Sequence, residues 1–301
     1  MTIRLSAEVG KAIDEGGPVV GLETSIIANG LPYPVNIETA MDMEAVIRQE
    51  GAIPATIGLI NGAIKIGLDA AELSTFAARN DVMKVGAAEI PFALVRSCMG
   101  ATTVAATLAC ADRVGIGVVA TGGIGGIHHG WHQSHDESHD LRAIARTRAI
   151  LVASGAKAIL DIPRTLERLE TLGVAVIAFG QDAFPAFWSR ESGINAPMRL
   201  DTVEEIVRFS AIQRESVGSG GLLVANPVPE NMEIPRATVA EWIGRALAEA
   251  EAESITGKAV TPYLLDRIRT LSNGQSVATN RCLAVANSAL AARIAAGLAM
   301  N

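Results

Sequence analysis

Pro18-Val19-Val20-Gly21-Leu22-Glu23, the segment 36–50 and Ile53-Pro54-Ala55-Thr56-Ile57-Gly58-Leu59-Ile60 read in succession as strand, helix and strand. The outer two are short apolar runs rich in β-branched residues, whereas the segment between them carries apolar residues at helical spacing. The alternation continues: 53–60 precedes a helix-period segment at 69–79, 115–121 and 149–154 precede 163–172, 174–179 precedes 202–216, and 221–226 is the last strand-like run. Strands separated by helices in this way pair in parallel, with each helix crossing over a sheet face. The expected fold class is therefore α/β: a three-layer α/β/α arrangement around a central mixed, largely parallel sheet, with a helical C-terminal part. Asp201-Thr202-Val203-Glu204 supplies a helix start, Gly51 and Gly173 supply helix stops, and Pro163 suits a first turn. The segment 280–299 is amphipathic and rich in small residues such as Ala284, Ser288 and Ala292, which suits close helix packing or a subunit contact. With no repeat, low-complexity tail or proline-rich linker, residues 1–301 read as a single domain.

The chain is 49% hydrophobic but only 4% aromatic, so its core is expected to be large and aliphatic. Its net charge of −7 argues against nucleic acid or an acidic membrane surface as a partner, since both need a basic protein surface. Gly, Lys, Asn or Arg interrupts the apolar stretches before the roughly 18–20 residues of a membrane span, so no transmembrane helix is expected. Met1-Thr2-Ile3-Arg4-Leu5 and the residues after it lack the basic-then-apolar order of a secretory leader, which points to a cytoplasmic protein. Cys98, Cys110 and Cys282 follow no metal-ligand spacing and read as reduced, buried small hydrophobes.

All five histidines, His128, His129, His132, His135 and His139, fall within twelve positions behind the run Gly122-Gly123-Ile124-Gly125-Gly126 and are interleaved with Asp136 and Asp140. Imidazoles with carboxylates suit a divalent cation or a phosphorylated ligand, and a glycine loop lets backbone N–H groups approach an anion. The spacing of His128, His132, His135 and His139 is near-helical, so one helical face of metal ligands is one reading; a solvated His-rich surface loop is the other. Asp136 suits a hard cation such as magnesium or manganese. Glu23 ends a strand, where ligands of open α/β sheets bind, and a carboxylate emerging there from apolar surroundings suits a general acid; a solvated loop glutamate is the alternative. Only five of the 25 cationic residues are lysine. Lys157, in Ser154-Gly155-Ala156-Lys157-Ala158-Ile159-Leu160-Asp161, has small or apolar neighbours that favour a neutral, nucleophilic amine over a snorkelling cation. Lys84 ends another short apolar run, and the two lysines and Glu23 suggest a shared crevice.

Taken in order, these stretches resemble one family. Gly21-Leu22-Glu23-Thr24, Asn29-Gly30-Leu31-Pro32-Tyr33-Pro34, Pro54-Ala55-Thr56-Ile57-Gly58, Gly100-Ala101-Thr102-Thr103-Val104-Ala105-Ala106-Thr107, Ala120-Thr121-Gly122-Gly123-Ile124-Gly125-Gly126, Gly155-Ala156-Lys157-Ala158-Ile159-Leu160-Asp161, Phe184-Pro185-Ala186-Phe187 and Ala225-Asn226-Pro227 look like the pseudouridine-5′-phosphate glycosidase, or indigoidine synthase A-like, family. The resemblance runs from about residue 17 to residue 298. It implies an α/β homotrimer that reversibly cleaves the C–C glycosidic bond of pseudouridine 5′-phosphate to uracil and ribose 5-phosphate. By the same resemblance Lys157 is the nucleophile, Glu23 the proton donor and Asp136 the ligand of Mn2+ (or Mg2+). Lys84, Val104, Ser138, His139 and Asp140 match substrate-contacting positions, with Asn280 as an addition. The partner implied is a small phosphorylated C-nucleoside.

A carbon leaving group has no lone pair to protonate, so the two-carboxylate glycosidase route is closed to it. An amine can instead open the ribose ring while Glu23 protonates the ring oxygen, giving an imine that assists carbon–carbon cleavage. The chain departs from the family where Ser-Arg-Arg is common after the Lys-Val pair: here stands Gly86-Ala87-Ala88. His129 replaces a frequent arginine, and His139 a small residue. The alternative is a C-glycosynthase or C-nucleoside glycosidase relative that joins or releases ribose 5-phosphate with a non-uracil aromatic partner. A third reading, from a different class, is a cation-binding protein built on the histidines.

Overall fold

A computed structural model describes residues 2–217, 220–255 and 260–300; Lys258 lies outside them. In chain order the elements are β1 (Thr2–Leu5), α1 (Ala7–Asp14), β2 (Val19–Glu23), α2 (Val35–Gln49), β3 (Ile53–Ile60), β4 (Ala63–Ile66), α3 (Ala70–Ala78), β5 (Met83–Val85), α4 (Ile90–Val95), β6 (Gly100–Thr102), α5 (Val104–Val114) and β7 (Val118–Ala120). Then come β8 (Ile127–His128), α6 (Trp131–Ser134), α7 (His139–Arg146), β9 (Ile150–Ala153), β10 (Leu160–Asp161), α8 (Ile162–Thr171), β11 (Ala175–Phe179), β12 (Met198–Leu200), α9 (Val203–Ser216) and β13 (Leu222–Ala225). Three helices close the order: α10 (Arg236–Ala252), α11 (Val260–Leu271) and α12 (Gln275–Ala299).

Nine strands line up as β1-β4-β3-β2-β7-β9-β13-β11-β12, and β6, with β5 beside it, branches from β3. From β3 through β12 every neighbouring pair is parallel; β4 and β6 run antiparallel to β3 and make the sheet mixed. The expected architecture is therefore the observed one. Helices α5, α7 and α8 pack on one face, and α2, α9 and α12 on the other, with α1 tied to α2 by the Glu8–Arg48 ion pair. The strands at the centre are buried on both faces, which is why they read as continuous apolar runs and not as alternating ones.

Local signals place the helix ends. Thr202 caps α9 and forms a capping box with Glu205, one residue later than the acidic residue quoted in the sequence; Pro163 sits in the first turn of α8. The order in which strands are added reverses at β2. The chain steps outward from β2 to β3, wanders through the β4–β6 region, and returns through α5 to β7 on the other side of β2. A crevice opens beyond the carboxyl ends of strands at such a reversal, and Glu23 is the last residue of β2.

α12 lies against β2, β7 and β9 and against α2 and α9. By length and composition its 25 residues could cross a membrane, contrary to the reading of the sequence, yet half of its most apolar window is inside the fold. Leu283, Leu290 and Ile294 are essentially inaccessible, and each such burial contributes roughly 1.5–3 kcal/mol. Helix α5 escapes the sequence pattern because Val104, Ala105, Ala106, Thr107, Leu108, Cys110 and Ala111 are all buried, leaving no polar face to mark a period.

Candidate active site

Glu23 is only 5% exposed. Its Oε1 accepts a hydrogen bond from the Thr121 hydroxyl and its Oε2 one from the Ser25 hydroxyl, both short. The sequence suggested apolar surroundings; the carboxylate is in fact held between two hydroxyls, because the residue just past β7 and the turn just past β2 both present them. Immediately after Ser25 the chain forms a π-type turn, Ile26–Gly30, a rare geometry that is frequent at functional sites.

Lys157 follows β9 by way of Ser154-Gly155-Ala156 and is half-buried. Its backbone N–H donates to the Ile124 carbonyl (3.0 Å) and the Ile124 N–H donates to the Gly155 carbonyl (3.0 Å), stitching the lysine turn to the glycine run. Gly155 has φ +76°, and a Cβ there would stand 2.3 Å from the Pro185 carbonyl oxygen, so no other residue fits. The stretch Phe184-Pro185-Ala186-Phe187 thereby closes over the lysine turn.

The glycine run has a different use from the one read in the sequence. A Cβ on Gly125 would lie 2.2 Å from the Ser138 hydroxyl, and the Gly125 N–H donates to Asp140 Oδ2 at 2.8 Å. Asp140, 6% exposed, also accepts from the Ala105 N–H at 3.0 Å through Oδ1. One carboxylate thus clamps the glycine loop to the first turn of α5, beside the buried Val104. Ser138 caps α7, accepting from the Asp140 N–H. Asn280, on α12, accepts from the Trp188 indole N–H at 2.5 Å.

The histidines do not share a helical face. Gly130 and His135, both left-handed, bracket the short α6, so His128 lies on β8, His132 on α6, His135 at its cap and His139 at the start of α7. All but His128 are exposed, and among the described residues no trio of His, Cys, Asp or Glu could hold a metal. Burial lowers the pKa of His128, and the nearby His129, Lys157 and Lys84 lower it further while Asp136 opposes them. His128, Asp136, Lys157 and Lys84 therefore share one electrostatic neighbourhood. Asp136, half-buried, offers a lone carboxylate; its oxygen donors fit a hard cation that keeps waters in its remaining positions.

At the departure from the family, the Gly86 N–H donates to Glu89 Oε2 at 3.0 Å. A carboxylate thus closes the turn at which the resemblance implies two guanidinium groups. Sequence reading missed Thr121, Ser25 and the buried Asn287 of α12, none of which stands in a recognisable spacing with Glu23 or Lys157.

Residues 8–297 match the family described as Indigoidine synthase A like protein. A pseudouridine-5′-phosphate glycosidase of Paracoccus denitrificans is 52% identical over 99% of this chain and 98% of its own length. One from Geobacillus kaustophilus is 47% identical, with 96% of each covered. Among solved structures, the prealnumycin C-glycosynthase AlnA in complex with ribulose 5-phosphate superposes with a TM-score of 0.93 at 35% identity, covering 100% of this chain and 98% of that one. An indigoidine synthase A-like protein from Thermotoga maritima gives 0.90 at 37% identity, with 99% and 97% covered. Full-length identity at this level, on the same fold and with the same motifs in the same order, places the chain in the indigoidine synthase A-like family.

Proposed function

We propose that the protein is a C-glycosidase that reversibly cleaves pseudouridine 5′-phosphate to uracil and ribose 5-phosphate. The observation that carries the reading is the placement of Glu23 at the carboxyl end of β2 and of the Lys157 turn just past β9, with only β7 between the two strands, in a chain about half identical to glycosidases of that name. Neighbouring strands lie about 4.8 Å apart, so the ends of β2 and β9 are roughly 10 Å apart, and the Lys157 turn starts from the second of them.

In this reading the Lys157 amine attacks C1′, the C1′–O4′ bond breaks, and Glu23 delivers a proton to O4′. The lysine nitrogen gives up a proton to the Glu23 carboxylate, and its lone pair then expels the uracil carbon, which takes that proton. The resulting Schiff base is hydrolysed by water, releasing ribose 5-phosphate and the free amine. A manganese or magnesium ion held by Asp136 and waters would supply Lewis-acid contact to the substrate. Lys84, Val104, Ser138, His139 and Asn280 contact the phosphorylated nucleoside, while Asp140 acts chiefly by clamping the loop they surround. The reading includes a homotrimer in the cytoplasm, to which three free cysteines are suited.

Borohydride added during turnover tests it: a ribose-derived adduct should appear on Lys157 and be lost in Lys157→Ala, and an adduct on another lysine would overturn it. A second reading, formation of a C–C bond to a non-uracil aromatic acceptor, is favoured by the likeness to AlnA and by the loss of two positive charges at Ala87 and Ala88. Competition between uracil and other acceptors in the synthetic direction separates the two.

A further inference from the structure

Asn287 lies seven residues, two helical turns, beyond Asn280 on the same face of α12, and it is completely buried. Its Nδ2 donates to the Thr121 carbonyl at 2.8 Å, the Gly122 carbonyl at 3.2 Å and the Ser154 hydroxyl at 3.1 Å. Its Oδ1 accepts from Asn226 Nδ2 at 3.0 Å and lies 3.3 Å from the same Ser154 hydroxyl. Thr121, Ser154 and Asn226 are the first residues past β7, β9 and β13, three adjacent strands. A single side-chain amide therefore joins three strand ends. A buried amide of this kind has four bonds to offer, and here they go to strand-end groups and not to its own helix.

Two of those strand ends lead directly to the proposed chemistry. Thr121, whose carbonyl Asn287 holds, places its hydroxyl on Glu23. Ser154, whose hydroxyl Asn287 holds, opens the turn that ends at Lys157, and its N–H donates to the Gly122 carbonyl at 2.9 Å. We infer that Asn287 is a positioning residue that sets the proton donor and the nucleophile in register with each other without touching substrate. The inference rests on the C-glycosidase reading. Reacting groups displaced by about 1 Å lose on the order of 10²-fold in rate, so an amide that fixes both strand ends acts on kcat.

The test compares wild type, Asn287→Leu, Asn287→Asp and Ser154→Ala in cleavage of pseudouridine 5′-phosphate at 25 °C, with folding checked by circular dichroism. Asn287→Leu keeps the volume without the bonds, and Asn287→Asp turns the two donors into an acceptor facing two carbonyls. Each is expected to lower kcat by about 30–100-fold with KM changed less than about threefold, and to slow borohydride trapping on Lys157 in parallel. A residue that only stabilises the fold would lower Tm and leave kcat at 25 °C intact. Should both Asn287 variants fail to fold, Ser154→Ala decides alone: it removes one hydroxyl and is expected to lower kcat about fivefold at unchanged KM. A folded variant with wild-type kcat overturns the inference and leaves the reading standing. A wild-type protein that neither turns over nor traps on Lys157 overturns both.

Discussion

Two regions meet near Lys157 and are built in opposite ways. Around the ends of β2, β7 and β9, Glu23, Thr121, Ser154 and Asn287 are buried and bonded to one another or to strand-end carbonyls. In the neighbouring segment between β8 and α7, four of five histidines point to solvent and only His128 is half-buried. In sequence the second region is far more conspicuous. The difference teaches that clustering of reactive residue types in sequence says little about whether the fold holds them in place, whereas the ends of buried strands are held by construction. Burial and bonding at a strand end fix a group's geometry, whereas an exposed imidazole keeps its rotamer freedom.

The largest expected effect tests the buried side. Lys157→Ala should lower cleavage of pseudouridine 5′-phosphate on the order of 10⁴-fold or more, as removal of a covalent nucleophile does, in a steady-state ultraviolet assay. Residual activity within tenfold of wild type would break the contrast. Glu23→Gln keeps the shape between the Thr121 and Ser25 hydroxyls but cannot deliver a proton, and should lower kcat by about 10²–10⁴-fold.

Asp140→Ala leaves the Ala105 and Gly125 N–H groups without their carboxylate and should cost about 2–3 kcal/mol in urea unfolding. In the histidine segment, His128 carries a pH signature. Because its pKa in the folded protein is lowered from 6.5, chiefly by burial, the unfolded chain binds the proton more tightly. The stability linked to it is full above pH 6.5 and is lost as pH falls toward the lowered value. His128→Gln should flatten that slope in unfolding measured from pH 7.5 downward. The smallest effect belongs to His132→Ala, which should change stability by no more than about 0.5 kcal/mol, and kcat not measurably, since nothing among the described residues binds that side chain.

Much of the frame was legible because the central strands are buried on both faces and so announce themselves as unbroken apolar runs. That also placed Glu23 and Lys157 at strand ends. The antiparallel additions were not legible: β4 and β6 are four and three residues long, too short for a period, and both attach to β3. The near-helical spacing of the histidines misled because two left-handed residues, Gly130 and His135, cut the helix that spacing implies. Asp140 reads as a ligand by residue type, and only the fold brings the Ala105 N–H, 35 residues away, onto it. Asn287 is harder still, since its partners lie 61 to 166 residues distant and no local pattern encodes them.

α12 is made after every strand it joins, and this sets a timetable. A ribosome that has released residues up to 274 has delivered the whole sheet, with Glu23 and Lys157 already on it, but not the helix that lies across β2, β7 and β9. A chain cut before residue 275 would hold the ends of β7, β9 and β13 without the one amide they share, so the helix that comes after the strands is also the piece that ties them.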